Sequence, residues 1–102
     1  MTGPLPHGHW RDAWENSADE FQGLRRRRWY RVVKEFSDFD GDVHPEGETW
    51  LFLGHNFLPY EDGLSLFISL DGHQEWHIRM RWTSEDQGLV IDAMQQYLTL
   101  VD

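Results

Sequence analysis

Asp38, Asp40 and Asp42 alternate along a short run broken by Gly41, His44 follows two residues later, and Glu46 and Glu48 complete the series ahead of Trp50. Alternate carboxylates on a tight loop can converge on one hard cation, and a neighbouring imidazole adds a nitrogen ligand or a general acid. This spacing makes Asp38, Asp40, Asp42 and His44 the candidate centre of a metal-dependent hydrolase. The EF-hand pattern is not met: counted from Asp38, glycine falls fourth instead of sixth, and the twelfth residue is Thr49. A turn rich in Asp, whose carboxylates cap loop amides and keep the edge soluble, accounts for the same residues more simply.

The loop sits in a longer one-sign region. From Glu35 to the residue before Arg79 the chain holds ten carboxylates and no Lys or Arg. Within it, Pro59-Tyr60-Glu61-Asp62-Gly63 reads as an exposed turn. The functional reading of the two loops together is a recognition rim, made by Asp38, Asp40, Asp42, Glu46, Glu48, Trp50, Tyr60, Glu61 and Asp62, for a basic or proline-containing segment. Arg25 to Arg28, followed by Trp29 and Tyr30, is the one basic cluster, and arginine beside aromatics is a way to hold single-stranded nucleic acid. Its plainer role is to neutralise part of the acidic loop from the mouth of the first strand.

Other chemistry has less to stand on. His44, His55, His73 and His77 lie among carboxylates, but no HExxH-type spacing occurs, and His7-Gly8-His9 belongs to the N-terminal lead. Ser37, Ser65 and Ser69 have no activating neighbour in sequence, and there is no Gly-x-Ser-x-Gly or phosphate-binding glycine loop. No catalytic residue and no cofactor is therefore assigned.

The elements that must position these residues follow from periodicity. Residues 1–9 read as a flexible lead, and 10–102 as a single small β domain with terminal helices. Trp10, Ala13, Trp14, Ala18 and Phe21 keep close to a helical period, with Gly23 as a stop. Trp29 to Phe36 places Tyr30, Val32 and Phe36 on one face of a strand. Thr49 to Phe57 is apolar enough to need cover on both faces, one by a helix, and Gly54 marks a bulge or a close backbone approach.

Leu64, Leu66, Ile68 and Leu70 alternate with polar residues and Phe67, as do Trp76, Ile78, Met80 and Trp82 with His77, Arg79 and Arg81. A two-residue turn at Asp71-Gly72 would mix the faces, whereas a three-residue loop over Leu70, Asp71 and Gly72 sets Leu66 opposite Trp76 and Leu64 opposite Ile78. Ser84-Glu85-Asp86-Gln87 has capping-box spacing, so a helix is expected from there, with Val90, Met94, Tyr97, Leu98 and Val101 as its apolar stripe and Gly88 weakening it.

Bulk properties narrow the partner. The 102 residues allow one core, and a formal charge of -9 repels phosphate backbones and anionic lipid, which disfavours nucleic acid and membranes and draws in a basic protein. Fifteen aromatics (six Trp, six Phe, three Tyr) are more bulk than one small core absorbs, so some are expected on the surface. With no cysteine and no apolar leader, the expected location is cytoplasmic.

The blocks Phe36-Ser37-Asp38-Phe39-Asp40-Gly41, Gly47-Glu48-Thr49-Trp50 and Phe57-Leu58-Pro59-Tyr60-Glu61-Asp62-Gly63-Leu64 resemble bacterial domain-of-unknown-function family 3601, a family of small proteins, over about Leu24 to Leu98. The resemblance implies no reaction, cofactor or catalytic residue. The expected fold is mainly β (α+β), a small antiparallel SH3-like barrel or curled sheet of 4–5 strands, with a short N-terminal helix and a C-terminal helix. The expected function is a non-enzymatic protein-binding module for a basic partner. An immunity- or antitoxin-type inhibitor of a basic toxin, and the metal-dependent hydrolase, are the alternatives.

Overall fold

The computed structural model describes residues 1–101. In chain order it contains β1 (Thr2–Pro6), α1 (Arg11–Trp14), β2 (Glu20–Phe21), β3 (Leu24–Arg25), β4 (Trp29–Val32), β5 (Phe36–Ser37) and β6 (Val43–His44). There follow β7 (Thr49–Leu58), a 3-10 turn over Pro59–Glu61, β8 (Gly63–Ser69), β9 (Gln74–Arg81), α2 (Gly88–Asp92), α3 (Met94–Tyr97) and β10 (Leu98–Leu100). Six strands form one antiparallel sheet in the order β1-β9-β8-β7-β4-β10, while β2-β3 and β5-β6 are small separate hairpins.

The mainly β, antiparallel expectation holds, but the sheet stays open. β1 and β10 are its two edges and do not pair with each other, so of the two expected forms, an SH3-like barrel or a curled sheet, no closed barrel forms. The count of 4–5 strands was short because two strands lie where the sequence reads as a lead and as the end of a helix. Thr2–Pro6 pairs with β9, and Leu98–Leu100 pairs with β4.

Both terminal helices are shorter than the apolar spacing suggests. The first stops at Trp14, where the Ser17 hydroxyl donates to the Trp14 carbonyl (2.8 Å), and Phe21 belongs to a hairpin that turns at Gln22-Gly23. The second splits at Ala93, whose ψ of 30° departs from the helix, into two short pieces. The expected capping box does not form: Gln87 Oε1 accepts from the Arg81 amide (2.9 Å), and the Thr83 hydroxyl donates to Asp86 (2.8 Å).

The sheet is buried on both faces. Trp50, Phe52, Leu64, Leu66, Ile68, Ile78 and Met80 meet Ile91 and Met94 in the main core. On the opposite face Trp14 packs with Leu53 and Phe67, flanked by Trp10, Ala13 and Leu51, so a helical turn covers the apolar strand as its composition required. Burying three such side chains is worth about 1.5–3 kcal/mol each. At Gly54 both expectations for glycine are met. The β7-β8 register shifts between Phe52 and Gly54, and a Cβ there would lie 2.6 Å from Ser17 Oγ and 2.8 Å from Trp14 Cβ.

In the β8-β9 hairpin the faces are as expected and the register is not. Ile68 faces Trp76, Leu66 faces Ile78 and Leu64 faces Met80, two residues from the anticipated pairing. The loop is longer because Asp71 Oδ1 accepts from the amides of both His73 and Gln74 (2.8 Å each), while the Gly72 amide donates to Ser69 Oγ (2.8 Å).

Candidate functional site

The acidic loop between β5 and β7 has an interior. The β5-β6 hairpin sets Phe36 opposite His44, and the two rings stack with centroids 4.9 Å apart. The His44 side chain has no exposed surface and lies between two carboxylates, with Nδ1 at 2.7 Å from Glu48 Oε2 and Nε2 at 2.8 Å from Asp38 Oδ2. A neutral imidazole carries one N–H, so one of these contacts would set lone pair against lone pair, whereas the imidazolium donates to both. Burial works against that charge, but the hydrogen bonds to Glu48 and Asp38 outweigh it, and the His44 pKa is raised.

Further donors hold the two carboxylates. Asp38 Oδ1 accepts from the amides of Asp40 and Asp42 (3.0 Å each), and Glu48 Oε2 accepts from the indole of Trp50 (2.8 Å). Of the nine residues read as a partner-binding rim, Asp38 and Trp50 are buried and Glu48 is turned inward, so these three build the loop from within. The sequence had given them contact roles because a charge run and a tryptophan look alike whether inward or outward. Among the described residues no group of three or more His, Asp or Glu side chains is arranged to hold a metal. Asp38 and His44 bond to each other instead of converging on a common point.

The outer carboxylates divide again. Asp40 accepts from Arg79 Nη2 (2.7 Å) and Nε (3.3 Å), and this guanidinium holds the Asp40 pKa below its ordinary value. The Met1 ammonium bonds to Asp42 and lies 3.3 Å from Asp38 Oδ2 and 3.9 Å from Asp40 Oδ2. Burial lowers the pKa of that ammonium, the carboxylates raise it by more, and the net shift is upward. Glu46, Glu61 and Asp62 are exposed and make no side-chain hydrogen bond or ion pair among the described residues.

The two loops meet across an open groove of about 570 Å³ on the outer face of β8 and β9. Phe39 forms one flank, Leu58, Tyr60 and Glu61 the other, and Ser65, His77, Arg79 and Arg81 contribute to its lining. Tyr60 is fully exposed, while Phe39 and Leu58 keep 43% and 51% of their surface in solvent. Tyr60 and Phe39 are among the surplus aromatics the composition called for, and all six tryptophans are buried or half-buried. The Trp10 ring packs against His77, with centroids 5.6 Å apart. His77 Nε2 lies 2.7 Å from Ser65 Oγ, and burial first, then Arg79, lowers the His77 pKa. Arg79 is paired with Asp40, and Arg81 lies 3.8 Å from Asp86, so the cations of the groove are met from within the chain.

The basic cluster is split. Arg26 donates to the carbonyls of Leu53 (2.8 Å), Glu15 and Ser17 (3.2 Å each) and lies over Trp14, while Arg25, Arg27 and Arg28 are exposed. The arginine that pairs with the acidic loop is Arg79, through Asp40. His73 lies exposed in the hairpin loop, and His55 stacks on Phe21 (4.1 Å) with Nδ1 unpartnered among the described residues.

Sequence reasoning missed Glu75. Strict alternation places it with His77 and Arg79 on a solvent face, yet it has no exposed surface. It accepts from the Gly8 amide, the Trp10 amide (3.2 Å) and the Trp14 indole (3.2 Å). The available signal was Trp10 and Trp14, two large rings that had to cover something.

No curated protein matches the chain. Among solved structures, an integron cassette protein from the mobile metagenome of Vibrio cholerae is 31% identical, with a TM-score of 0.80 over 85% of this chain and 96% of that one. No helix among the described residues is long and apolar enough to cross a membrane. The FxDFDG, GExW and FLPYEDGL blocks thus fall in the His44 enclosure and on the groove flanks, and the model of Domain of unknown function (DUF3601) matches residues 13–102: the chain belongs to that family.

Proposed function

We propose that the protein is a non-enzymatic, cytoplasmic binding module whose partner is a protein offering an extended, positively charged segment. The observation that carries this reading is Tyr60, fully exposed across an open groove from the half-exposed Phe39 and beside the unpaired carboxylates Glu61 and Asp62. Exposed aromatics on loops flanking the sheet supply contact area, and unpaired acids around them select the partner's sign. The net charge of -9 adds long-range attraction of the same sign. Asp40, Asp42 and Glu46 extend the negative rim, while Asp38, Glu48 and Trp50 support it from behind.

The test is a selection from a random peptide display library against the folded chain. Enrichment of Lys- or Arg-containing peptides that lose binding to Tyr60→Ala and to Glu61→Lys with Asp62→Lys supports the reading. Enrichment with no bias in charge, or binding indifferent to those variants, overturns it. A second reading, inhibition of one basic toxin, draws on the same net charge of -9 in a small chain. One tight partner from the native host, in place of several weak ones, would favour it.

A further inference from the structure

Residues 1–12 lie outside the stretch that the family model matches, yet the first six occupy the one edge of the sheet that adjoins the acidic loop. β1 pairs Thr2 with His77, Leu5 with Glu75 and Pro6 with Gln74, and the register slips between Thr2 and Leu5. Thr2, Gly3, Pro4 and Pro6 are all exposed, so the strand is held mainly by backbone pairing, with Met1 packed against the main core and Leu5 half-buried as its only apolar side-chain contributions among the described residues. Further along the same edge the Phe39 amide donates to the Arg79 carbonyl (2.8 Å), which sets the acidic loop as a continuation of β1. The Met1 ammonium lies among Asp38, Asp40 and Asp42.

The anchor comes later in the chain. Glu75 fixes Gly8, Trp10 and Trp14, so residues 8–14 are a clamped layer and residues 1–6 an arm that extends from it. We propose that the β9 edge is a strand-acceptor site filled in cis by this arm. A partner segment replaces it in trans, pairing antiparallel along Gln74–His77 and placing an ammonium or lysine among Asp38, Asp40 and Asp42. The inference rests on the proposed function for the sign of the partner's charge, but it needs neither Tyr60 nor the groove.

Gly3 supplies the means of opening the arm. Its φ is +137°, and a Cβ there would lie 2.7 Å from the Glu75 carbonyl oxygen and 2.8 Å from Trp76 Cδ1, so Gly3→Val disfavours the docked strand. The probe is a peptide of sequence Met-Thr-Gly-Pro-Leu-Pro with a dye at its C-terminus, titrated by fluorescence anisotropy into wild type and Gly3→Val. Freeing the edge should tighten binding about tenfold or more, because apparent affinity scales with the fraction of open sites. Acetylating the peptide's amino end, or adding Asp42→Lys, should reverse most of that gain.

Equal binding by both proteins, no binding by either, or indifference to acetylation would overturn the proposal. Hydrogen exchange on wild type gives a check that needs no variant. Amides in the β1-β9 ladder should exchange at least tenfold faster than those between β8 and β9, and equal protection would count against a displaceable arm. The groove reading would survive either failure, since it is judged on Tyr60, Glu61 and Asp62.

Discussion

Replacing His44 by Gln should cost the fold most near pH 6 and progressively less as the solution is made alkaline. The buried ring sits between Glu48 at 2.7 Å and Asp38 at 2.8 Å, and removing one member of a buried charged set costs about 3–5 kcal/mol. A glutamine amide carries both N–H donors on one nitrogen and so serves the carboxylate on one side of the ring position but not the other, and a loss of about 3 kcal/mol is expected, against a typical total of about 5–15 kcal/mol.

The pH dependence has a definite sign. Because the folded pKa is raised above its ordinary value of 6.5, the clamp contributes fully below that value and is lost as pH rises through the folded pKa. The groups facing the ring or its partners are Asp38, Glu48, the Trp50 indole and the Met1 ammonium. The ammonium is present in both proteins, so its own titration largely cancels in the comparison. Urea unfolding of wild type and His44→Gln at about pH 6 and about pH 9 reads the effect: the stability gap should narrow with pH. A gap unchanged across that range would show that His44 is neutral, and the charged clamp would have to be abandoned.

Gly88→Ala should destabilise, although helix propensity alone predicts a gain of about 1 kcal/mol. A Cβ would lie 2.5 Å from the Thr83 carbonyl oxygen, and chemical denaturation should show a loss of about 1–3 kcal/mol. Glu75→Gln should cost about 1.5–3 kcal/mol, because an amide NH2 faces N–H donors where a carboxylate oxygen accepted them, and Trp14 indole exchange should quicken. Stability and exchange equal to wild type would remove Glu75 as the anchor of residues 8–14. Asp71→Ala should speed amide exchange at His73 and Gln74 while the β8-β9 ladder keeps its protection, and unchanged exchange there would mean that the carboxylate does not organise the loop.

Period-two patterning assigned the main-core face of β8 and β9, where Leu64, Leu66, Ile68, Trp76, Ile78 and Met80 alternate, but not the cover over Phe67 and Glu75 on the opposite face. It could not assign register, which depends on one Asp71 carboxylate gathering two amides. The strands at 2–6 and 98–100 were invisible for a different reason: each is an edge paired on one side, with most side chains in water, and edges carry little hydrophobic signal. The acidic loop and the Tyr60 turn were legible as a pair by charge and turn chemistry. Their division into inward Asp38, Glu48 and Trp50 and outward Glu61 and Asp62 was not, since it turns on His44 lying within reach of two carboxylates.

Whether the groove between Phe39 and Tyr60 receives a cationic segment is read from backbone amide shifts as a display-selected peptide is titrated in. Perturbations should concentrate at Phe39, Tyr60, Glu61, Ser65 and Arg79, with the Arg25–Arg28 segment unmoved. Shifts confined to that arginine segment or to the exposed β10 edge would contradict it.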